Sequence, residues 1–360
     1  MKRFTRAALL FVLVLALLVP MSASAQEMPC YGLSSADCEL YYKPNTTMEG
    51  VSSFTLNYTF NLNVPDTVEL NSDGGGNFSE VPGAADPLKS FNLDMVINGS
   101  GNDMTTGETQ SMSFEFRIID GMFYLNTEGL ADFEGIEGLQ GWIGFMLEPL
   151  ITAIMESGGL ADMGLDLEGL LSGEAAEMPD VSGMDMAPFA DLFTKYVTAT
   201  RGADIDVAGN AVAPFTVSFD LAGLLADPGL TEAMNALTTS LSGMAGEEMS
   251  EEDLQSMQMM VAMIPMLGMM FSDTAISVTQ NVGVNDGYLY GFGFNLDMTL
   301  DPAMMAGFTG ESDDASAEPV TIVLNFFVEL TNHNQSFTFT APETFTDMTE
   351  QIQAGMSGGF

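Results

Sequence analysis

Histidine, cysteine and basic residues are scarce in this chain. Its 360 residues include 1 histidine, 2 cysteines and 8 Lys+Arg against 50 Asp+Glu, for a formal net charge of -42. Nucleic acids and anionic membranes are bound by basic surfaces that neutralise phosphates, so neither is expected as a partner. Histidine-dependent triads, histidine-ligated zinc and thiolate clusters need residues that are nearly missing here. No standard active site can be identified, and we expect neither an enzyme nor a bound cofactor.

Residues 1–25 have the pattern of a secretory signal peptide. Basic residues at positions 2, 3 and 6 precede an apolar run over 7–19, and Ala-Ser-Ala at 23–25 is a small-residue cleavage site. The run is shorter than the ~20 residues that span a bilayer. Cleavage would leave 5 basic against 50 acidic residues, a net charge of -45. We expect a soluble, monomeric protein in the periplasm, at the cell surface or outside the cell, in a salty or mildly acidic medium.

The two cysteines, Cys30 and Cys38, follow the cleavage site closely. In an exported chain such a pair predicts a small disulfide loop, here within an N-terminal segment over 26–44. The alternative is a lipid-modified Cys30. A lipobox needs a small residue before the cysteine, with Leu and Ala or Ser upstream, and Glu27-Met28-Pro29 does not fit that motif.

Strict alternation of apolar and polar residues is the strongest structural signal. Residues 54–64 carry Phe, Leu, Tyr and Val on even positions and Thr or Asn on odd ones. This pattern predicts a strand with one apolar face. Similar runs occur at 91–95, 112–118, 215–221, 288–300 and 322–330. Asp120-Gly121 and Asp286-Gly287 are hairpin dipeptides between such runs, and the only histidine, His333, is predicted to lie in a turn.

Three helices are predicted between the strands. Apolar residues follow helical spacing over 189–197, behind Pro188, and over 142–155, where Pro149 should bend the helix. A third helix begins at a capping-box sequence at 250–253 and extends to 271; its second half is apolar on every side but too short and broken to span a membrane. Glycine-rich acidic stretches predict mobile loops or lids at 72–77, 156–186 and 309–318.

Methionine is unusually frequent, with 29 residues, and seven of them lie within 257–270. Thioethers can bind Cu(I), yet this helix lacks the helping His or Cys of copper carriers. The other interpretations are an irregular core and a pliable lining for flexible apolar ligands. Carboxylates at 162–168, or at Asp204 and Asp206, would suit calcium, although neither group matches an EF-hand loop and a solvated acidic surface explains both.

Several segments resemble the LolA-like and LppX/LprG-type lipoprotein carriers. They are Asp-Gly-Met-Phe-Tyr-Leu at 120–125 followed by Gly-Trp at 141–142, the element at 215–222, and a closing strand that extends to 337–342. The resemblance covers most of 45–345 and implies a half-barrel closed by helices, whose apolar cavity holds acyl chains or lipidated proteins. This chain departs from it by lacking a lipobox cysteine, by having few basic residues and by its greater length.

The sequence thus predicts a single α+β domain over 45–345, a curved antiparallel sheet (half-barrel) with helices covering its apolar concave face, followed by a tail over 346–360. The expected function is non-catalytic binding of a lipid or other apolar small molecule in a cavity between sheet and helices. The alternative is an acidic structural or adhesive surface protein with a dry core and calcium-binding loops, and an unrecognised hydrolase comes third. The candidate cavity residues are Trp142, Phe189, Phe193, Met260, Met263, Met266, Tyr288, Tyr290, Phe292 and Phe294.

Overall fold

A computed structural model describes residues 29–104, 107–130, 141–149, 151–152, 192, 194–234, 264, 266–300 and 319–352. The chain divides into two units, 1–30 and 31–360, and the first is described only at Pro29 and Cys30. None of the helices in these ranges is both long enough and apolar enough to cross a membrane. The predicted disulfide is confirmed, because Cys30 and Cys38 are both disulfide-bonded and the chain has no other cysteine.

One large sheet contains thirteen strands of the described residues. They are β1 (Ser53–Val64), β2 (Val68–Glu80), β3 (Phe91–Asp103), β4 (Glu108–Ile119), β5 (Met122–Asn126), β6 (Trp142–Met146), β7 (Val197–Arg201), β8 (Ile205–Val207), β9 (Asn210–Phe219), β10 (Thr274–Gly283), β11 (Leu289–Leu300), β12 (Val320–Thr331) and β13 (Thr346–Asp347). The order is β13-β6-β5-β4-β3-β2-β1-β12-β11-β10-β9-β7, with β8 beside β9. All pairs are antiparallel except β13 with β6, so the predicted antiparallel sheet is confirmed.

The sheet consists of two meanders that meet in its middle. Strands β1 to β6 each pair with their neighbours in sequence, as do β9 to β12, and the pairing of β1 with β12 joins the two sets. Asp120 and Gly121, both with positive φ (53° and 77°), form the turn between β4 and β5. Two positive φ angles are the requirement of a type I′ hairpin, which Asp-Gly meets. His333 lies in a turn after β12, as predicted.

β2 corrects the sequence-based prediction of a mobile loop at 72–77, since those residues lie in a strand at the middle of the sheet. Glycine is needed there because the neighbouring backbone is very close. A Cβ atom at Gly76 would lie 1.8 Å from the Asp94 carbonyl oxygen, and one at Gly74 would lie 2.3 Å from that of Val96. Glycines in strands mark such approaches and allow a sheet to bend. The glycines at these positions agree with the predicted curved sheet.

The helices with complete bounds are α1 (Ser35–Tyr42), α2 (Pro44–Thr47) and α3 (Leu221–Ala226), and single 3₁₀ turns occupy Met48–Gly50, Pro87–Lys89 and Glu128–Leu130. The Ser34 side chain caps α1 by accepting from the Asp37 backbone N–H. Tyr41 of α1 packs edge-on against Phe215 of β9, with ring centroids 5.5 Å apart. This helix therefore covers one end of β9 and β10, where Ala213, Phe215 and Val282 are fully buried.

Other helical residues cover the opposite end of the same two strands. The Asp220 side chain caps α3 by accepting from the Gly223 backbone N–H at 2.8 Å. Leu224 of α3, Leu230 in the helical residues 228–234 and Ile264 form a buried cluster. Phe219, the last residue of β9, packs against that cluster. Helices thus lie over the β9 and β10 part of the sheet, in agreement with the predicted α+β class.

Two of the helix predictions need correction at their bounds. The helix predicted over 142–155 begins instead as strand β6, because β5 offers Trp142–Met146 an antiparallel partner; helical residues follow at 147–149 and 151–152. In the helix predicted over 189–197, residues 192 and 194–196 are helical and Val197 opens β7. Of the helix over 250–271, residues 264 and 266–270 are helical. The rest of that helix, with the loops predicted at 156–186 and 309–318, lies outside the described residues.

The segment after β12 is a strap rather than the predicted closing strand through 337–342. Gln335 accepts a hydrogen bond from the Ser53 hydroxyl on β1, and Thr340 accepts one from Arg117 on β4. The Phe345 ring then meets Tyr124 of β5 edge-on at 5.0 Å. Residues 335–345 therefore cross the sheet from β1 to β5, and the chain enters β13 inside the predicted tail.

Candidate functional site

Strand register assembles the alternating residues into one continuous apolar surface. Leu56 pairs with Leu330, Phe60 with Phe326, and Leu62 with both Leu70 and Leu324. Directly paired residues share a side of the sheet, so parity can be followed from strand to strand. The apolar face, as we call this side, comprises the even residues of β1, β2, β4, β10, β11 and β12 and the odd residues of β3, β5, β6, β7 and β9.

Most side chains of the apolar face are partly exposed to solvent. On β1 to β6 and β12, none of its described side chains is fully buried, and most are half-buried. Phe292, Leu70 and Val320 are more exposed, at 39%, 38% and 37%. The buried part lies on β7, β9 and β10 and at the neighbouring Phe294, near the helices that pack on β9 and β10. The face therefore has a dry end and a long region that still contacts solvent.

Aromatic side chains form two ladders on the half-buried region. The rings of Phe54, Phe78 and Phe91 stack in sequence across β1, β2 and β3, with centroid distances of 5.0 and 6.0 Å. A second ladder crosses β4, β5 and β6 at 5.7 and 5.0 Å; its members are Phe116, Phe123 and Phe145. Such rings give rigid apolar area at low conformational cost.

Charged residues are confined to the margins of this region. Among its described residues on β1 to β6 and β12, the acids are Glu80, Asp103 and Glu108, each at a strand end. The Tyr58 hydroxyl is hydrogen-bonded to the Ser72 hydroxyl, which lies 2.9 Å away. General acid–base or nucleophilic catalysis needs paired titratable groups within hydrogen-bond reach. This surface offers apolar contact instead.

Two of the cavity candidates from the sequence, Phe292 and Phe294, are brought together on the apolar face. They lie on β11 opposite Val328 and Phe326 of β12. Phe294 is 4% exposed and belongs to the dry end, whereas Phe292 reaches solvent.

Tyr288 and Tyr290 lie elsewhere, in a cluster around His333. A register shift at Asn281 and Val282 displaces Tyr290, whose ring packs on Val207 and Val212. Val212 is on the polar side by parity.

Hydrogen bonds and ring contacts fix this cluster. The Tyr288 and Tyr290 rings contact the His333 ring at 5.0 and 4.9 Å, and a His333 ring nitrogen lies 2.9 Å from the Leu289 carbonyl oxygen. Burial lowers the pKa of His333, against opposing effects from Leu289 and Asp286. Burial and the hydrogen bond to Asp286 raise the pKa of Tyr290. The cluster is a packed structural unit.

Trp142 also lies away from the apolar face. It pairs with Asn126 of β5, on the polar side, and the Arg117 guanidinium stacks on its ring at 4.7 Å. Arg117 in turn holds Glu115 at 2.6 Å and the strap at Thr340. Trp142 thus supports the attachment of the strap.

The methionine and calcium candidates are only partly described. Met266 is 42% exposed on the helical residues 266–270. Asp204 is paired with Arg201 at 2.6 Å, and Asp206 accepts from the Gly209 backbone N–H. In the part of the chain that the structure describes, no three His, Cys, Asp or Glu side chains converge on a metal position. Phe189, Phe193, Met260, Met263 and the acidic stretch at 162–168 lie outside the described residues.

The central aromatic residues were missed as candidates. Phe60, Phe116 and Phe326 lie in the middle of the half-buried region, yet the sequence pattern identified them only as strand residues. The alternation gave the signal for their face. To recognise that these side chains share one surface, one also has to know which strands are neighbours in the sheet, and the alternation does not show this.

Several solved structures are similar to this chain, LprF and LppX among them. No family model and no curated protein matches the sequence. LprF from Mycobacterium bovis is 12% identical, with a TM-score of 0.34, 86% of this chain and 98% of that chain being covered. The Mycobacterium tuberculosis lipoprotein LppX is 9% identical, with a TM-score of 0.29 and coverages of 84% and 96%. LppX is of the type that the sequence segments resemble, and the similarity to both structures is low in identity and in TM-score.

Proposed function

We propose that this protein is an exported, non-catalytic binding protein whose apolar face takes up an acyl chain of a lipid or a ligand of similar chemistry. The observation that carries the proposal is the half-burial of this face along β1 to β6 and β12. Large partly exposed apolar surfaces on a folded chain mark sites where a partner or ligand completes the burial. A dry core would have fully buried these positions.

The composition of the face favours a flexible aliphatic ligand. Leucine, isoleucine, valine and methionine surround the two phenylalanine ladders, and charged groups stay at the strand ends. Each methylene group removed from water contributes roughly 0.8 kcal/mol, so an acyl chain gains affinity from its length rather than from polar contacts. Methionines such as Met95 and Met112 adapt their shape to such ligands.

The test is native mass spectrometry of the mature protein purified from its own host, followed by organic extraction and lipid analysis. A co-purifying acyl lipid is the expected result. A single bare mass under gentle conditions would contradict the proposal and favour the alternative, a structural surface protein.

A matched pair of variants assigns the ligand to the apolar face. Phe60→Gln places an amide in the middle of the half-buried region, whereas Thr59→Gln changes the preceding residue of the same strand, which lies on the polar side of the sheet. We expect Phe60→Gln to bind a fluorescent fatty acid about tenfold more weakly than the unmodified protein, because about 1.5 kcal/mol or more of apolar contact is lost. Thr59→Gln should bind as the unmodified protein does. Equal affinities for both variants, with unchanged melting temperatures, would show that the ligand binds elsewhere.

A further inference from the structure

The polar side of the sheet carries a groove of about 410 Å³ on β2, β3 and β4. Its side walls and floor come from Asn71, Asp73, Asn98, Ser100, Ser111 and Ser113. All six lie on the face opposite the apolar one, in two cross-strand rows: Asp73, Asn98 and Ser113 form one, and Asn71, Ser100 and Ser111 form the other. A volume of this size falls within the ~300–1,000 Å³ typical of small-molecule sites.

The hydrogen bonds of the first row give its groups fixed directions. The Asn98 side-chain NH₂ donates to the Asp73 carboxylate at 3.0 Å, and its carbonyl oxygen accepts from the Ser113 hydroxyl at 2.8 Å. The second row is anchored in a similar way, since Asn71 accepts from the Asn61 amide and donates to Glu69 at 3.1 Å. A linked network of this kind is preorganised, so its remaining donors and acceptors cost less entropy to engage.

On one side of the groove, a glycine allows a 3₁₀ turn to pack in van der Waals contact with β4. Gly129, in the 3₁₀ turn Glu128–Leu130, packs directly on the backbone of β4, where a Cβ would lie 1.5 Å from the Ser113 carbonyl oxygen. Any side chain there would push the turn away from β4. The turn that contains Gly129 therefore packs on Ser113, the last residue of the hydrogen-bonded row.

The charge of the groove restricts its ligand. Among its described lining residues, Asp73 is the only charged one and none is basic. Phosphates and other anions need cationic partners, which this strongly acidic chain does not offer at this place. Amide, hydroxyl and carboxylate groups side by side suit a ligand whose groups both donate and accept hydrogen bonds, as sugar hydroxyls do.

We propose that this groove is a second binding site, for a neutral saccharide, on the face opposite the apolar ligand. Asn98 is its central residue, because it joins Asp73 to Ser113 and keeps one amide hydrogen available. The Ser100 and Ser111 hydroxyls, both exposed, supply the second row of contacts. This site is independent of the proposed acyl-chain site, and either can exist without the other.

The test uses the whole mature chain on a glycan array that carries neutral oligosaccharides beside sialylated and sulfated ones. We expect binding to neutral glycans and none to the anionic ones. The strongest array glycan then serves for calorimetric titration of three variants. Asn98→Ala removes the central residue and Ser111→Tyr fills the groove without breaking its network, whereas Asn325→Ala changes an exposed residue on the same side of β12 as a control.

We expect Asn98→Ala and Ser111→Tyr each to weaken binding at least tenfold and Asn325→Ala to leave it unchanged. Since Ser111 is exposed, Ser111→Tyr decides the question even if Asn98→Ala fails to fold. Absence of binding to every neutral glycan would overturn the proposal. Equal binding of anionic glycans, or full affinity in Ser111→Tyr, would overturn it as well. Fatty-acid displacement should be the same in all three variants.

Discussion

Gly76 shows how a single residue shapes the middle of the sheet. The Asp94 carbonyl oxygen lies where a Cβ atom at this position would be, so β2 and β3 can approach only with glycine there. We expect Gly76→Ala to lower the free energy of unfolding by about 2–3 kcal/mol, because backbone atoms must move apart. Gly50→Ala is the matched control: nothing lies within 4 Å of its Cβ position, and the change should stay within about 0.5 kcal/mol. Urea unfolding measures both, and equal values would contradict a close approach of β2 and β3.

His333 makes the stability of its cluster dependent on pH. Burial between Tyr288 and Tyr290 lowers its pKa from the ordinary value of 6.5, while the Leu289 carbonyl and the Asp286 carboxylate oppose this effect. The unfolded chain therefore binds a proton more readily than the folded one. The stabilising contribution is complete above pH 6.5 and is lost as the pH falls below that value toward the folded pKa.

A comparison of the unmodified protein with His333→Gln isolates this titration from that of the many carboxylates. The difference in the free energy of unfolding between the two should shrink between pH 8 and pH 5. A difference that stays constant over this range would show that His333 does not titrate differently in the folded and unfolded chains.

At the residue level, the sequence predicts faces better than neighbours. Parity alone places Phe292 and Phe294 on the apolar face, and the structure agrees. Tyr290 follows the same parity, but the register shift at Asn281 and Val282 displaces it into the His333 cluster. A one-residue bulge of this kind leaves no mark in the periodicity, since only the pairing of two strands defines it.

Among the elements, the disulfide loop before β1 has a measurable effect. The bond between Cys30 and Cys38 closes a short loop that contains the start of α1, and α1 covers the buried Phe215. Chain-entropy arguments give about 2–3 kcal/mol for a loop of this length. The Cys30→Ser, Cys38→Ser variant should lose that amount in urea unfolding, and a reductant should produce the same loss in the unmodified chain only. A reductant that also weakened the variant would point to a different cause.

β2 and β6 show where reasoning from single elements fails. Glycine disfavours strands in isolation, so Gly-Gly-Gly at 74–76 predicted a loop, but pairing with β1 and β3 on both sides overrides that preference. The sequence at 142–146 fits either a helix or a strand by its spacing, and β5 decides in favour of a strand. In both elements the deciding partner lies outside the segment, and so the local pattern could not reveal it.

At the scale of the whole molecule, net charge should govern stability. After cleavage of the predicted signal peptide, 5 basic residues face 50 acidic ones, which are too few cations to pair with most of the carboxylates. Raising KCl from 0.1 to 1 M shortens the screening length from about 10 to about 3 Å. We expect the melting temperature at pH 7 to rise by several degrees. Near the pI of about 4.1 the same series should show little gain, and an equal gain at both pH values would exclude charge repulsion as the cause.

The order of strands is the part of the fold that periodicity could not supply. Six of the long strands were predicted at nearly correct positions, yet nothing in their alternation indicated that β1 would pair with β12. That single pairing makes the half-buried region continuous across both meanders, and without it the apolar face would be two separate surfaces.

The same pairing also has consequences for how the nascent chain assembles. β1 is made early and its partner β12 almost last, so a chain that emerges from its N-terminus carries an unsatisfied edge for most of its synthesis. That edge alternates Phe, Leu and Tyr, the composition most prone to join a foreign strand. The last long strand, β12, therefore completes the middle of the sheet. A chain cut short before residue 320 would lack a central strand rather than an edge strand.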